Sequence, residues 1–286
     1  MRPDDFDFIA GTLRQRSGLV INRDKVYLLE SRLTPIARRM GLETLDDLIG
    51  VIRREKNESL IRSVVEAMTT NESFFFRDTT PFDIFRDHVL PKIRVTHAAS
   101  KRVRIWCAAA SSGQEPYSLG IILKEQAALW AGWTFEIIAT DLSTQVLDKA
   151  RAGIYSQFEV QRGLPIRMLM KYFVQEGESW QIAKSLRDMV SYREFNLLES
   201  YRGLGQFDVI YCRNVLIYFD QPTKSDVLNR MRDALSPDGV LFLGAAETVL
   251  GLTDRFKPVP GHRGMYVTSD TARPAVSSLL AQTAAR

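Results

Sequence analysis

The sequence predicts an open α/β sheet domain preceded by a helical domain, and three observations lead to that reading. An apolar, β-prone run from Val103 to Cys107 enters a turn of small residues and then a helix that begins near Pro116. Further strand-like runs follow at 133–141, 189–195, 207–212 and 239–244, separated by helical patterns. Residues 1 to about 70 carry helical periodicity alone. With 286 residues there is room for one large or two modest domains.

The helical part comes first. Val26, Leu29, Leu33, Ile36 and Met40 follow three-four spacing. Pro35 should kink or shorten that helix, and Gly41 ends it. Lys25, Arg32 and Arg39 recur every seven residues as a basic stripe beside the apolar face. The stripe reads either as a solvated face or as a docking face for an acidic helical partner. Thr44 opens a helix through Asp47 to Arg54, and Leu60, Ile61, Val64, Val65 and Met68 mark another. The run Thr69-Thr70-Asn71-Glu72-Ser73-Phe74-Phe75-Phe76-Arg77-Asp78 is polar, then aromatic. It reads as a hinge with three core phenylalanines, as a linker folded over a ligand, or as both. In the second case Asn71 and Ser73 offer hydrogen bonds, and Arg77 can grip a carboxylate in a bidentate fork. Phe82 to Val95 is expected to be a helix with Phe82, Phe85, Val89 and Ile93 inward.

The strand at 103–107 and its turn form a nucleotide-binding corner. Ala108 to Gly113 have so little side-chain volume that a ligand can lie against the backbone. The turn has one glycine, where the dinucleotide fingerprint has three, and it carries Glu115, which would repel a pyrophosphate. A carboxylate there suits hydroxyls or a positive charge, as in the ribose, sulfonium and ammonium of S-adenosylmethionine. An ordinary α/β turn that only packs remains the alternative at this point.

The next strand ends in Asp141, 28 residues beyond Gly113. An acid at the tip of the second strand is where such folds place a ribose-hydroxyl acceptor. Ser143 is positioned to cap the following helix, Gln145 to Ala152. Residues 153–188 interrupt the alternation. Met168, Leu169, Met170, Tyr172 and Phe173 form an apolar cluster, and Glu176 to Ser179 looks like a hairpin tip with Trp180 to Ile182 returning. The sheet then resumes. Ligands in open α/β sheets sit beyond the carboxyl ends of strands, which places Asn196, Arg213 and Asn214 on one rim with Asp141 and Glu115. Asp220-Gln221-Pro222 starts a helix through Met231, and 256–258 and 264–267 look like a closing antiparallel pair. The Ala-, Ser- and Thr-rich tail from Thr268 is expected to be disordered or a loosely attached helix.

Composition narrows the function classes. The chain is 45% hydrophobic and 25% charged, ordinary for a globular protein. No apolar run approaches the roughly 20 residues of a membrane span, and the polar, acidic N-terminus does not read as a signal peptide. Cys107 and Cys212 lie in apolar runs, suggesting buried thiols in a reducing cytosol and no zinc site. The net charge of +4 permits an acidic partner without demanding nucleic acid.

Four blocks carry a family resemblance: 70–77, 109–118, Ala139-Thr140-Asp141-Leu142-Ser143, and Cys212-Arg213-Asn214-Val215-Leu216-Ile217-Tyr218-Phe219-Asp220. With them the chain resembles the chemotaxis receptor glutamate methyltransferases, the CheR family, over nearly its whole length. Ser73 stands where the family usually has Thr, and Gln114 where it often has Glu. The resemblance implies a Rossmann-like, S-adenosylmethionine-dependent methyltransferase domain with an N-terminal all-helical domain and a small antiparallel β-subdomain. The expected division is 1–70 helical, 71–82 a linker on the cofactor, 83–268 catalytic with the β-subdomain at about 165–190, and 269–286 a flexible tail. It also implies cofactor contacts at Asn71, Ser73, Arg77, Glu115, Asp141, Asn196, Leu197, Arg213 and Asn214. By position, Arg77 suits the methionine carboxylate, Asp141 and Glu115 suit ribose hydroxyls or the ammonium, and Tyr218 faces the substrate side.

The implied reaction is glutamate methyl-ester formation on the cytoplasmic helical bundle of receptors, with S-adenosylhomocysteine as product. It implies a cytoplasmic enzyme, taken here as a monomer, with no resident metal. A Glu-rich receptor helix gives the stripe Lys25, Arg32 and Arg39 a docking role. The hairpin around Glu176 to Trp180 looks short beside members that bind a receptor C-terminal pentapeptide, so independence of that peptide is expected. A binding-only scaffold and a surface-sensing rather than swimming pathway are the alternatives.

Overall fold

The computed structural model describes residues 1–269. The tail expected to be flexible falls, apart from Ser269, outside the described residues. Ser269 itself donates its N–H to the Arg255 carbonyl at 2.9 Å.

The N-terminal domain is four helices around one apolar core: α1 (Pro3–Ser17), α2 (Val26–Arg39), α3 (Leu45–Glu55) and α4 (Glu58–Met68). Local chemistry sets their ends. The Thr44 hydroxyl accepts the Asp47 N–H while the Asp47 carboxylate accepts the Thr44 N–H, a capping box opening α3. Asn57 caps α4. Pro35 does not shorten α2, which runs through it to Arg39. Ser31 and Pro35 are both exposed, so the carbonyl deprived of its partner lies on the wet side of the helix.

The expected basic stripe is divided. Lys25 sits in a 3₁₀ turn before α2, and Lys25 and Arg39 are exposed. Arg32 turns inward and donates to the carbonyls of Met68 and Thr69 at 2.7 and 2.8 Å. It satisfies the open carbonyl end of α4, where a cation is favoured.

The expected helix 82–95 begins earlier and is built in three parts. α5 (Thr80–Ile84) passes through a π-helical turn, Phe85–Val89, into α6 (Leu90–Thr96). The extra residue in the π turn shifts the inward face, so Phe82, Phe85, Val89, Leu90 and Ile93 all reach the core.

The second domain alternates strands and helices: β1 (Arg102–Ala108), α7 (Gln114–Glu125), β2 (Thr134–Asp141), α8 (Thr144–Ala152), β3 (Ile154–Ser156), α9 (Gln157–Gln161), α10 (Ile166–Tyr172), β4 (Phe173–Glu176), β5 (Ser179–Ile182), α11 (Lys184–Arg187), β6 (Val190–Glu194), β7 (Phe207–Cys212), α12 (Gln221–Ala234), β8 (Leu235–Leu243), β9 (Phe256–Pro258) and β10 (Met265–Thr268). The main sheet has the order β6-β2-β1-β7-β8-β10-β9. β1, β2, β6, β7 and β8 run parallel, and β10 pairs antiparallel with β8 and β9. Alternate residues bury on opposite faces: Ile105 and Cys107 under one helical layer, Trp106 and Ala108 under the other. Both faces are covered, as a parallel sheet requires. The indole N–H of buried Trp106 donates to the Thr140 hydroxyl at 2.9 Å.

The small antiparallel sheet is wider in sequence than the expected 165–190. Its order is β3-β5-β4, so it begins at Ile154, and Val190 already belongs to the main sheet. The hairpin tip falls where expected, between Glu176 and Ser179. Strand β3 escapes sequence reasoning because three residues carry no periodicity.

Candidate functional site

Strand β1 lies between β2 and β7, so the connections leave its carboxyl end in opposite directions and open a crevice there. A cavity of about 980 Å³, counted with its open mouth, occupies it. Ala109 to Ser111 and Glu115 form its floor. Asp141, Leu142 and Phe195 to Leu197 line one side, and Arg213 to Val215 with Tyr218 and Phe219 line the other. Thr69 to Ser73 and Arg77 close it from above, joined by Ser17 and Leu19 of the helical domain. All nine residues assigned to the cofactor, and Tyr218, line this one cavity. Lys25, Arg32 and Arg39 are not part of it.

The floor is built by backbone strain. Ala109 and Ser111 have φ of 66° and 50°, a region that costs a residue with a Cβ, and Gly113 has φ of 92°. A Cβ on Gly113 would lie 2.6 Å from the Tyr192 hydroxyl and 2.9 Å from the Ala150 Cβ, so a glycine is required there. The turn is held by Asp141, whose carboxylate accepts the Ser111 N–H at 2.8 Å and the Ser143 N–H at 3.0 Å. Burial raises the Asp141 carboxyl above its usual range, against the opposing pull of these N–H donors. Ser143 stands at the N-cap of α8, as expected, but its hydroxyl makes no capping bond; its own N–H is held by Asp141.

Glu115 and Arg213 form a buried pair across the floor. The Arg213 guanidinium donates to Glu115 at 2.8 Å, to the Asp78 carboxylate at 2.7 Å and to the Arg77 carbonyl at 2.8 Å. Burial pushes the Glu115 carboxyl up, while Arg213 and Arg77 pull it down. Arg213 therefore acts mainly as a strut joining floor to linker, although it lines the cavity.

The linker over the cavity is pinned at several points. The Ser111 hydroxyl donates to the Asn71 carbonyl, and the Phe76 N–H donates to the Ser118 hydroxyl. Phe75 is buried against Tyr155 and Phe173. Arg77 donates to the Glu72 carbonyl and, like Arg162, lies over the Phe74 ring. Phe76, Asp78 and Thr79 all have positive φ, so the chain leaves the linker through a strained corner.

Sequence reasoning missed the contribution of the helical domain. The Asn196 side chain donates to the Arg16 carbonyl at 2.6 Å, and the Val20 N–H donates to the Tyr218 carbonyl at 2.9 Å. Arg14 pairs with Asp220 at 2.6 Å and Arg62 with Glu194. Gly18 sits against the Phe219 ring in a left-handed conformation, and that glycine was the one local sign. Glu247 was missed as well. It lies on the turn after β8 and accepts backbone N–H groups of the loop carrying Asn214.

The chemistry available is that of positioning. Burial raises the thiols of Cys107 and Cys212 well above their usual range, so both are neutral. Among the described residues, no group of three His, Cys, Asp or Glu side chains is placed to hold a metal ion. No helix there is long and apolar enough to cross a membrane. The cavity instead offers acids over a bare backbone floor, apolar walls at Leu142, Phe195 and Leu197, and a guanidinium at Arg77. Such a set fits a ligand with hydroxyls, a cationic centre, an aromatic ring and a carboxylate, as in S-adenosylmethionine.

Comparison with known proteins gives a consistent picture. Residues 4–69 match the all-alpha domain of CheR methyltransferases, and residues 71–265 match the SAM binding domain of CheR methyltransferases. The chain is 42% identical over 257 residues to chemotaxis protein methyltransferase 1 of Vibrio cholerae, covering 88% of this chain and 92% of that protein. It is 41% identical over 261 residues to chemotaxis protein methyltransferase 1 of Pseudomonas aeruginosa, covering 89% and 94%. Against chemotaxis protein methyltransferase Cher2 of Pseudomonas putida the identity is 39% over 259 residues, with the same coverage of 89% and 94%.

Proposed function

Because this chain belongs to the CheR methyltransferase family, we propose that it methylates glutamate side chains of methyl-accepting chemotaxis receptors. The products are glutamyl methyl esters and S-adenosylhomocysteine. The observation that carries this reading is the gathering of all four motif blocks onto one cavity at the carboxyl ends of β1, β2 and β7.

S-adenosylmethionine supplies an electrophilic methyl group on a sulfonium. In this proposal Asp141 takes the ribose hydroxyls, Glu115 the ammonium and Arg77 the methionine carboxylate. Asn71, Ser73, Asn196, Leu197 and Asn214 complete the enclosure, and Arg213 braces Glu115 against the linker. The acceptor glutamate, with a reference pKa near ~4.3, is ionised at neutral pH, so the site needs no general base. Its task is to align two oppositely charged reactants and strip water from between them. Tyr218 lies half-buried on the rim beside Asn214 and Val215, a place from which to meet the acceptor.

The acceptor would be a Glu-rich receptor helix. Exposed Lys25 and Arg39 remain for docking it, whereas the Arg32 guanidinium is already engaged by the end of α4. The two-residue hairpin tip supports independence of a receptor C-terminal pentapeptide. The enzyme would act in the cytoplasm, as a monomer.

The test incubates the purified protein with methyl-labelled S-adenosylmethionine and receptor cytoplasmic fragments, with and without their C-terminal tails. Base-labile label released as methanol from both fragments is the expected result. Label on the tailed fragment alone would overturn pentapeptide independence. Absence of label despite cofactor binding would overturn the receptor reading in favour of a binding role or another acceptor.

A further inference from the structure

One carboxylate holds the loop after β7 from behind. Glu247 accepts the backbone N–H groups of Asn214 at 2.8 Å, Val215 at 3.0 Å, Leu216 at 2.7 Å and Ile217 at 3.3 Å, and also that of Gly244 at 2.7 Å. Four consecutive N–H groups thus turn towards a side chain 30 to 33 positions further on. Successive N–H groups curled around one centre make a concave site for an anion, here filled by the protein's own side chain. Asn214 is held at φ 59°, a conformation asparagine tolerates better than most residues. The approach demands a glycine opposite. A Cβ on Gly244 would lie 2.7 Å from Glu247 Oε2, 2.8 Å from Asn214 Nδ2 and 2.9 Å from Asn214 N. Glu247 is buried and does not line the cavity, yet the loop it holds presents Asn214, Val215 and Tyr218 to it.

We propose that Glu247 is a positioning residue for the cofactor site, acting through Asn214. Both oxygens are needed. Oε1 serves Val215, Leu216 and Ile217, and Oε2 serves Asn214 and Gly244. A glutamine offers one oxygen and one NH₂, so one of the two sets would face a donor instead of an acceptor. The loop would then leave its left-handed turn, and Asn214 would move with it. The inference rests on the reading of the cavity as a cofactor site.

The test is a double-mutant cycle read by calorimetric binding of S-adenosylhomocysteine, on the full chain, with melting temperature recorded alongside. E247Q is expected to weaken binding at least tenfold. N214A should weaken it by a similar factor, and E247Q/N214A by no more than about twice the worse single variant. Wild-type-like affinity in E247Q, within twofold, would overturn the proposal even with a lowered melting temperature. So would factors that multiply in the double variant, because a purely structural role would leave the Asn214 contribution intact. Should E247Q fail to fold, E247D keeps the charge with a shorter reach and carries the same cycle with the same expectations. Failure of the wild type to bind S-adenosylhomocysteine would overturn the reading of the cavity itself, and this inference with it.

Discussion

Replacing Arg213 with methionine strips the buried Glu115 carboxyl of its hydrogen-bonded counter-ion and leaves only the more distant Arg77 charge to favour ionisation. The wild-type guanidinium makes three hydrogen bonds of 2.7 to 2.8 Å, two of them to carboxylates, and it stacks over Phe82. Asp78 is solvent-accessible and can rehydrate, so most of the cost falls on Glu115. Breaking one partner of a buried pair costs about 3–5 kcal/mol. At roughly 2–4 °C per kcal/mol, R213M should melt about 6–20 °C below the wild type near neutral pH. The pH dependence has a definite sign. Burial holds the folded-state Glu115 carboxyl above its unfolded value, and Arg213 opposes that shift. Removing Arg213 raises the folded value further. The variant's extra loss is then largest where Glu115 must ionise, above that raised value, and fades as the pH falls through it, by at most ~1.4 kcal/mol per pH unit. Thermal or denaturant unfolding at about pH 8 and pH 5.5 measures both effects. The decisive comparison is R213M/E115Q, which removes the stranded charge and should recover half or more of the loss. A double variant no more stable than R213M would refute the stranded-charge argument.

Four further outcomes are expected. Y218F should lower turnover on receptor fragments while leaving S-adenosylhomocysteine affinity unchanged, and unchanged turnover would remove Tyr218 from the substrate side. R32M should cost about 1–3 kcal/mol through its lost bonds to Met68 and Thr69, while alanine at Lys25 or Arg39 stays within about 0.5 kcal/mol. K25E/R39E should instead raise the Michaelis constant for receptor and weaken its salt dependence, and no change in either would return these positions to ordinary surface. G163A should be among the most damaging single changes, more than about 3 kcal/mol by denaturant titration. Its Cβ would be driven to 2.1 Å from the Phe75 carbonyl at a residue with φ 83°, and a stable variant would contradict that packing.

Those residues also mark what a sequence exposes and what it conceals. Strands buried on both faces appear as apolar runs, and a turn that must bare its backbone appears as Ala109 to Gly113. The architecture and the floor of the cavity were therefore legible. Asp141, Asn196, Arg213 and Asn214 were legible too, because strand ends converge on one rim by topology alone. Arg32 was misleading, since spacing shows that a cation flanks a helix face but not that carbonyls lie within its reach. Glu247 was silent: its partners on the loop after β7 lie 30 or more positions away, and all its partners are backbone groups, which leave no mark in side-chain chemistry. Ser17 and Leu19 were silent because they reach the cavity through the packing of one domain on the other, which no local pattern records. The π turn at Phe85–Val89 was hidden because one extra residue preserves the apolar pattern on either side of it.

The roof of the cavity has a consequence for cooperativity. The polar links named between the domains are few, and the ion pairs among them, Arg14 with Asp220 and Arg62 with Glu194, are substantially solvent-exposed and worth no more than about 1 kcal/mol each. The crevice is lined by Ser17 and Leu19 on one side and Asp141 and Asn214 on the other, so a ligand filling it would lie between the two domains. Its binding energy would then count against their separation. Filling the crevice should therefore raise the cooperativity of unfolding by binding the two units' melting more closely together.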